Sequence, residues 1–246
     1  MKIHVINLDR SVDRIAEFRK ANHHIDATRF PAIDGTAQSS SDLVGQGLIA
    51  SDLKYSVGAI GAALSHLRLW EMCVEQNAPV TVCEDDAVLH LEFEAASARL
   101  IGELPADWDI VLWTWSFRTA VYFDLLKGSG SCLALCDFQQ MNQNVTRYQE
   151  TKHAFTLYRL YKTFGAMCYT ISPKGARKLK SAALPLRPMA VRVPLLDEPV
   201  TNYGIDVVMC DQYEKLAAFV CVPPLAIPAE KYGSTIQGTQ PFQVAP

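Results

Sequence analysis

Short apolar runs alternate along the chain with longer segments that have an apolar residue at every third or fourth position. Residues 2–8 and 79–83 are short apolar runs, and polar or acidic residues follow each of them, as is typical of buried strands that end at a polar edge. Residues 58–77 have apolar side chains at spacings of three and four, with Ile60 and Leu64 on one helix face. This order of elements predicts an α/β fold in which helices cover both faces of a mostly parallel central sheet.

The same patterns predict the remaining elements. Ser11 precedes a helix that has Val12, Ile15 and Phe18 on one face. Residues 117–162 are polar and irregular, and we interpret them as an insertion within a single domain of residues 1–246. The other predicted strands are 29–35, 109–113, 165–171 and 219–222, and the other predicted helices begin near residues 93, 174 and 206.

The composition is that of a globular protein, since 49% of the 246 residues are apolar and 20% are charged. The net charge of −3 argues against a protein that binds nucleic acid through its overall charge. Residues 141–192 nevertheless hold ten Lys and Arg residues against Glu150 alone, so this positive segment carries +9 and the rest of the chain −12. It predicts either a cationic face for anionic ligands or membranes, or a solvated helix face with scattered loop charges.

Several features of the sequence indicate a cytoplasmic protein. No apolar run reaches the length that spans a bilayer. Asp9 and Arg10 interrupt the first apolar run before it reaches the length of a signal peptide. Seven cysteines without a CxxC spacing are typical of reduced thiols.

The chain carries three adjacent carboxylates, Glu84, Asp85 and Asp86, directly after the predicted strand at 79–83. Their charges repel one another in a partly desolvated place unless a cation or hydrogen-bond donors offset them. Carboxylate oxygens suit Mg²⁺ or Mn²⁺, which use one or two of them and leave positions for the phosphates of a nucleotide. The triplet therefore indicates a metal site, and an exposed acidic turn is the alternative with the same sequence.

Four motifs follow one another along the chain: VINLDRS at 5–11 with DR at 13–14, RF at 29–30 with AIDG at 32–35, GAIGAALSH at 58–66, and EDDA at 84–87. In this order and spacing they resemble glycosyltransferase family 25, the lipooligosaccharide biosynthesis glycosyltransferases. Residues 169–176 resemble the family's later strand-to-helix junction, and residues 234–236 resemble its C-terminal signature. The likeness leaves residues 117–162 uncovered, and it departs at Ala59 and Ala62, where relatives commonly carry Glu and Cys.

The resemblance implies a GT-A fold, a nucleotide-binding α/β sandwich whose acidic motif holds a divalent metal, Mn²⁺ or Mg²⁺, against the donor diphosphate. It implies transfer of a hexose, with inversion at the sugar carbon, to a hydroxyl of a lipooligosaccharide or other glycan acceptor. UDP-galactose is the expected donor and galactose the sugar transferred, because family members commonly use this donor. We expect no nucleic-acid partner, and we expect the positive segment to contact an anionic membrane at its cytoplasmic face.

The resemblance also implies roles for residues of this chain. Glu84 and Asp86 are the expected metal ligands, and Asp85 is a third ligand or a contact to the sugar or ribose. Ser65 and His66 end the third motif and are expected near the nucleotide sugar. Without the resemblance, a lone His at this place is more often a satisfied structural residue.

Further binding residues are expected at the ends of the first two strands. Asn7, Asp9 and Arg10 lie at the end of the first predicted strand, and Asp34 lies at the end of the second, so all four are expected to meet the nucleotide. Helix capping and turn formation are the alternative roles for Asp9 and Asp34.

Asp206 is the expected catalytic base, because it matches an acidic position near the end of the family pattern. We prefer it to Asp197 and Glu198. An N-cap at the start of the predicted helix is its alternative role.

Two other functions stay open. A nucleotidyltransferase or phosphohydrolase would use the same carboxylates, and a non-catalytic carbohydrate-binding protein would keep the fold without turnover. The intact triplet at 84–86 argues against the non-catalytic protein, because such a costly charge cluster would have no purpose there.

Overall fold

The computed structural model describes residues 2–194, 196–228 and 239–243, and the predicted C-terminal signature at 234–236 lies outside them. None of the helices in these ranges is both long enough and apolar enough to cross a membrane. The strands are β1 (Ile3–Asn7), β2 (Ala27–Pro31), β3 (Val80–Glu84), β4 (Ala87–Leu89), β5 (Ile110–Leu112), β6 (Val121–Phe123), β7 (Cys132–Ala134), β8 (Thr156–Lys162), β9 (Cys168–Ile171), β10 (Ala190–Val191), β11 (Val200–Thr201), β12 (Ala218–Val222) and β13 (Ala226–Pro228). The α-helices are α1 (Val12–Ala21), α2 (Ser40–Gly45), α3 (Val57–Glu75), α4 (Phe93–Gly102), α5 (Phe138–Gln143), α6 (Val145–Glu150), α7 (Pro173–Ala183) and α8 (Ile205–Gln212).

Nine strands form one sheet in the order β2-β1-β3-β9-β5-β12-β8-β6-β7. Most of them run in one direction, as predicted, whereas β9, β8 and β7 run in the other. The antiparallel β9 separates the parallel trio β2-β1-β3 from the parallel pair β5-β12. The predicted α/β class is confirmed. Because β1, β2 and β3 are parallel, their carboxyl ends meet at one edge of the sheet, where α/β folds bind ligands.

Helices cover both faces of the sheet, as predicted, and each face has its own apolar core. Successive strand residues point to opposite faces, so that Ile110 packs on one side and Val111 on the other. α3, α7 and α8 pack on the first side, and α1 and α4 pack on the second. Trp70 and Trp113, both fully buried, belong to the first and the second core, respectively.

The turn after β2 lies directly against α3. A Cβ atom on Gly61 would lie 2.5 Å from the carbonyl oxygen of Ile33, and one on Gly35 would overlap the carbonyl of Val57, so neither position has room for a side chain. Ser65 ties the same elements together, because its hydroxyl accepts a hydrogen bond from Ile33 N at 2.9 Å and donates one to Gly61 O at 2.7 Å. The backbone after β2 is thereby fixed relative to α3.

Residues 117–162, predicted to be irregular, contain ordered strands. β8 and β6 extend the central sheet beyond β12, and β7 forms its edge. Phe123 and Leu160 from these strands are buried in the core. The prediction of irregular structure is therefore wrong here. For β6 and β7 the physical reason is length, since three residues each are too few for an apolar alternation to show in the sequence. In β8 the apolar residues stand in adjacent pairs, Leu157-Tyr158 and Leu160-Tyr161, so they do not alternate.

Half of the ten cations of the positive segment are engaged in ion pairs or hydrogen bonds with other parts of the chain. Lys174 and Lys178 of α7 both pair with the buried carboxylate of Asp109, at 3.3 and 2.7 Å. Lys180 pairs with Glu71 at 2.7 Å. The clustering of charge in the sequence therefore translates only in part into a cationic face. Two further cations are engaged in the same way, Lys162 with Glu214 at 3.2 Å and Arg159 with the carbonyl oxygens of Tyr213, Glu214 and Ala218.

We expect the Asp109→Asn variant to be less stable than the wild type. Burial opposes the charge of Asp109, but the bonds from Lys178 and from Ala217 N outweigh it and hold the pKa of this carboxyl below its ordinary value. The carboxylate therefore contributes stability above the unfolded-state pKa of about 3.9, and this contribution is lost as the pH falls through the lower folded-state pKa. The substitution should lower the free energy of unfolding by about 1–3 kcal/mol at pH 7.

Urea denaturation between pH 7 and pH 3 measures this effect. The difference between wild type and Asp109→Asn should shrink once the pH falls below about 4. Asp107→Asn is the matched control, because Asp107 is 80% exposed and its carboxylate lies 4.0 Å from Lys174. Equal losses in the two variants would contradict the role given to Asp109.

Candidate active site

A cleft lies at the edge where the carboxyl ends of β1, β2 and β3 meet, and we call it the first cleft. The open space between its walls is about 690 Å³. α1 and α3 contribute the remaining walls. Eight of the ten residues that the sequence predicts for the site line it: Asn7, Arg10, Asp34, Ser65, His66, Glu84, Asp85 and Asp86.

Asp85 is held by side chains from two neighbouring elements. Arg14 of α1 donates to Asp85 Oδ1 from Nε at 2.7 Å and from Nη2 at 2.5 Å, and Asn7 of β1 donates from Nδ2 to Asp85 Oδ2 at 2.7 Å. Arg14 is only 8% exposed, so its charge acts where water screens it weakly. The motifs assigned no role to Arg14. The feature of the sequence that could have indicated this role is the place of Arg14 in the first turn of α1. That helix follows β1, and the neighbouring strand β3 ends in the three carboxylates.

Asp86 has one satisfied oxygen and one unsatisfied oxygen. Its Oδ2 accepts a hydrogen bond from Arg14 Nη2 at 3.2 Å, whereas its Oδ1 is buried and has no hydrogen-bond partner among the described residues. Burial raises the pKa of Asp86 to about 7, and the negative charge of Glu84 adds to the rise. Such an oxygen is short of a cation or of a hydrogen-bond donor.

The groups at the end of β3 fit a divalent cation that is held mainly by phosphates and water. Glu84 and Asp86 both line the first cleft, and the unsatisfied Oδ1 of Asp86 is a hard oxygen of the kind that Mg²⁺ and Mn²⁺ prefer. In the described part of the chain, no three His, Cys, Asp or Glu side chains are grouped as a metal site. Two carboxylates with substrate phosphates are a common set of Mg²⁺ ligands, so a cation here would depend on a bound nucleotide.

Asp34 and Asp9 both pair with arginines but differ in their exposure to the first cleft. Asp34 pairs with Arg10 and accepts hydrogen bonds from Thr36 N at 3.0 Å and from Thr36 Oγ1 at 2.8 Å, so it caps the 3₁₀ turn after β2. These bonds from Thr36, together with Arg10, hold the pKa of Asp34 below its ordinary value. Asp9 is 83% exposed, pairs with Arg29 and lies outside the first cleft. Its contact with a nucleotide stays a prediction.

A second cleft adjoins the first, and the two share Ala62, His66 and Glu84 in their walls. The open space between its walls is about 970 Å³. Ala59 and Ala62, where the sequence departs from the family pattern, both line it. The remaining walls include four aromatic side chains, Phe117, Phe138, Phe164 and Tyr203, with the Arg118 guanidinium 4.1 Å from the centre of the Phe138 ring.

Asp206 lies in the second cleft, in the first turn of α8. Gly204 is the N-cap of this helix, so the alternative role of Asp206 as an N-cap is wrong. Asp206 Oδ2 accepts a hydrogen bond from Gly165 N at 3.0 Å. Burial raises the pKa of Asp206 above its ordinary value, and the negative charge of Glu84 adds to the rise. The two other carboxylates considered for this role are exposed and line neither cleft: Asp197 and Glu198.

The two clefts differ in what they can do chemically. The first offers fixed carboxylates and arginines, which suit a ligand rich in phosphates and hydroxyls. The second sets a carboxyl with a raised pKa beside aromatic walls, which suits proton transfer from a ligand with apolar faces. Because both clefts reach Glu84, whose side chain is partly exposed, ligands bound in them would meet beside this carboxylate. The arrangement is that of a site for two substrates.

The family model described as glycosyltransferase family 25 (LPS biosynthesis protein) matches residues 1–193. The match includes every residue of the first cleft, whereas Asp206 lies beyond it. No curated protein matches the chain. The large sheet with helices on both faces is compatible with the expected GT-A fold. With most of its length matched, the chain belongs to glycosyltransferase family 25 and is a glycosyltransferase of lipopolysaccharide biosynthesis.

Proposed function

We propose that this glycosyltransferase transfers galactose from UDP-galactose, with inversion, to a sugar hydroxyl of a lipooligosaccharide or lipopolysaccharide acceptor, and that it requires Mn²⁺ or Mg²⁺. The observation that carries the proposal is the meeting of two clefts at His66 and Glu84, one with the carboxylates that end β3 and the other with Asp206. A transferase has to bring a donor and an acceptor together at one atom. Family membership supports a sugar as the group transferred.

The first cleft suits a nucleoside diphosphate donor. Asp34 lies after β2 at the edge where α/β sheets bind nucleotides, and Thr36 orients its carboxylate to accept hydrogen bonds from ribose hydroxyls. Arg10, with its side chain 59% exposed, can add a phosphate contact to its pair with Asp34. Glu84 and Asp86 would hold the metal, which supplies positive charge to the departing diphosphate.

Asp85 and Ser65 act in this proposal from fixed positions. Arg14 and Asn7 already hold the Asp85 carboxylate, and Ser65 already bonds to backbone groups of the turn after β2 and of α3. A donor would use the remaining lone pairs of Asp85 without moving that side chain, whereas Ser65 is fully buried and acts by holding the turn after β2 against α3. Groups that need no reorganisation stabilise a developing transition state more effectively than mobile ones.

The second cleft suits the acceptor. Its aromatic walls can pack against the apolar faces of a sugar ring, and Asp206 takes the proton of the attacking hydroxyl. The acceptor oxygen then bonds to the sugar carbon while the bond from that carbon to the diphosphate oxygen breaks. Attack from the side of the second cleft, with the leaving group in the first, inverts the configuration at that carbon. The raised pKa of Asp206 brings this base closer to the pH at which it works.

The proposal includes a cytoplasmic location and a peripheral contact with an anionic membrane. The support for the membrane contact is the positive segment, in which half of the ten cations are already paired with acidic side chains or carbonyl oxygens of this chain. Such a contact weakens as salt screens it. It would depend on the other five cations, Arg147, Lys152, Arg177, Arg187 and Arg192.

We expect UDP-galactose with Mn²⁺ to raise the melting temperature of the wild type above the value with either ligand alone. A ligand at 100 times its Kd stabilises the folded state by about 2.7 kcal/mol. Asp86→Asn should lose the part of the shift that requires Mn²⁺, because it replaces an expected ligand. Asp107→Asn, which changes an exposed carboxylate outside both clefts, should keep it.

A panel of nucleotide sugars in the same assay tests the donor. A larger rise in melting temperature with another nucleotide sugar would show that galactose is not the sugar transferred. Equal rises with Mn²⁺ in wild type and Asp86→Asn would contradict the role of Asp86 as a metal ligand. Release of pyrophosphate or free phosphate in place of UDP would indicate a nucleotidyltransferase or phosphohydrolase. Sugar binding with neither UDP nor Mn²⁺ binding would indicate a carbohydrate-binding protein.

We expect Asp206→Asn to lower kcat by about 10²- to 10⁴-fold, the usual contribution of a general base. The base works only when deprotonated, so wild-type kcat/KM should fall as the pH drops through the pKa of Asp206. Because that pKa is raised, the fall should begin above the ordinary Asp value of about 3.9, and it should be absent from the residual activity of the variant.

The control for this variant is Asp211→Asn on the same helix. Asp211 pairs with Lys215 at 2.9 Å and lines neither cleft, so its loss should leave kcat and the pH profile unchanged. Steady-state assays of UDP release with an acceptor measure both variants. If Asp206→Asn retained wild-type turnover, another group would have to be the base.

A further inference from the structure

Three buried side chains form a chain of hydrogen bonds beneath the junction of the two clefts. Trp70 Nε1 donates to the hydroxyl of Tyr169 at 2.8 Å, and the same hydroxyl lies 2.8 Å from His66 Nδ1. Trp70 and Tyr169 are fully buried, and His66 is 1% exposed. His66 and Trp70 are four residues apart on α3 and therefore share one helix face, with Tyr169 of β9 packed against it.

The direction of these hydrogen bonds follows from the groups themselves. An indole N–H only donates, so the Tyr169 oxygen is the acceptor from Trp70. The hydroxyl proton of Tyr169 then needs its own acceptor, and within the described residues that partner is His66 Nδ1. If His66 donated from Nδ1 instead, the buried hydroxyl proton would be left without an acceptor, which costs about 1–3 kcal/mol. The network therefore favours the tautomer in which His66 carries its proton on Nε2.

The other ring nitrogen of His66 faces the carboxylate that both clefts share. His66 Nε2 lies 3.6 Å from Glu84 Oε1, which is longer than a hydrogen bond but short enough to become one with a small movement of the carboxylate. Hydrogen bonds in active sites are often long before substrate binds and shorten in the complex. His66 and Glu84 line both the first and the second cleft.

We propose that Tyr169 and Trp70 are positioning residues that hold His66 in its Nε2–H tautomer, so that this N–H orients Glu84 at the junction of the clefts. The catalytic part of this proposal, the orientation of Glu84, rests on the proposed sugar transfer. The tautomer of His66 does not depend on that function. Partners that orient metal-binding side chains from behind typically change metal affinity or activity by about 10- to 100-fold when they are replaced. Neither Tyr169 nor Trp70 touches a substrate in this scheme.

The tautomer can be measured on the metal-free protein. Two-bond ¹H–¹⁵N spectra of histidine-labelled wild type should show His66 with a protonated Nε2 and an unprotonated Nδ1, the signals being assigned by their loss in His66→Gln. Tyr169→Phe should shift this population towards the Nδ1–H form. A wild-type spectrum with the proton on Nδ1 would overturn the proposal, and this first measurement stands even if Tyr169→Phe fails to fold.

Thr170→Val is the matched control for Tyr169→Phe. Thr170 is the next residue in β9, is equally buried, and its hydroxyl also accepts a hydrogen bond from a buried indole, that of Trp113 at 2.7 Å. Trp113 belongs to the core on the opposite face of the sheet. Loss of the Thr170 hydroxyl should therefore affect stability without changing the tautomer of His66.

Kinetic measurements test the catalytic part. Tyr169→Phe should raise the Mn²⁺ concentration for half-maximal transfer, or lower kcat, by about 10- to 100-fold, with little change in acceptor KM, and Thr170→Val should do neither. His66→Gln should retain more activity than His66→Asn, because only the longer amide places an N–H near the position of Nε2. Equal losses in Tyr169→Phe and Thr170→Val would overturn the positioning role. A wild type that transfers no sugar would instead overturn the proposed function and leave the tautomer measurement intact.

Discussion

The geometry of the site depends on how the charge of Asp85 is balanced. Three consecutive carboxylates at the end of β3 repel one another, and Arg14 places a buried cation 2.5 Å from Asp85 and 3.2 Å from Asp86. This contact fixes the first turn of α1 against the turn between β3 and β4, and Asn7 adds the end of β1 to the same carboxylate. Two elements, α1 and β1, therefore converge on the Asp85 side chain, and the carboxyl groups of Glu84 and Asp86 line the first cleft.

The sequence predicts which residues lie at the carboxyl ends of the strands better than it predicts the side-chain contacts between those residues and the rest of the fold. A strand that ends in polar residues is a local pattern, which is why the sequence places Asn7, Asp34 and the triplet at 84–86 at strand ends and why the α/β class follows from the order of elements. The bond between Arg14 and Asp85 joins residues 71 positions apart, and that between His66 and Tyr169 spans 103. Local sequence patterns do not predict contacts between residues so far apart, so these partners can be identified only from the folded structure.

The same limit explains one expectation that is wrong and one that the fold bears on only in part. The strands within 117–162 take their place from the sheet around them, since β6 and β7 are too short to show a period of their own. The positive segment predicted a cationic face because its acidic partners are distant in sequence, 69 residues away for Lys178 and 109 residues away for Lys180. A count of charge within a window measures composition, whereas potential at the surface depends on the pairs that folding makes.

The contact of backbone with backbone at Gly35 and Gly61 limits how this enzyme can change during evolution. No other residue fits at either position without moving the turn after β2 or α3, so this wall of the first cleft cannot be reshaped by a simple exchange of side chains. The second cleft takes Arg118, Phe138 and Tyr203 from loops and from the start of a short helix, where exchange disturbs less of the core. Under the proposed function, drift or directed evolution would diversify the acceptor far more readily than the nucleotide.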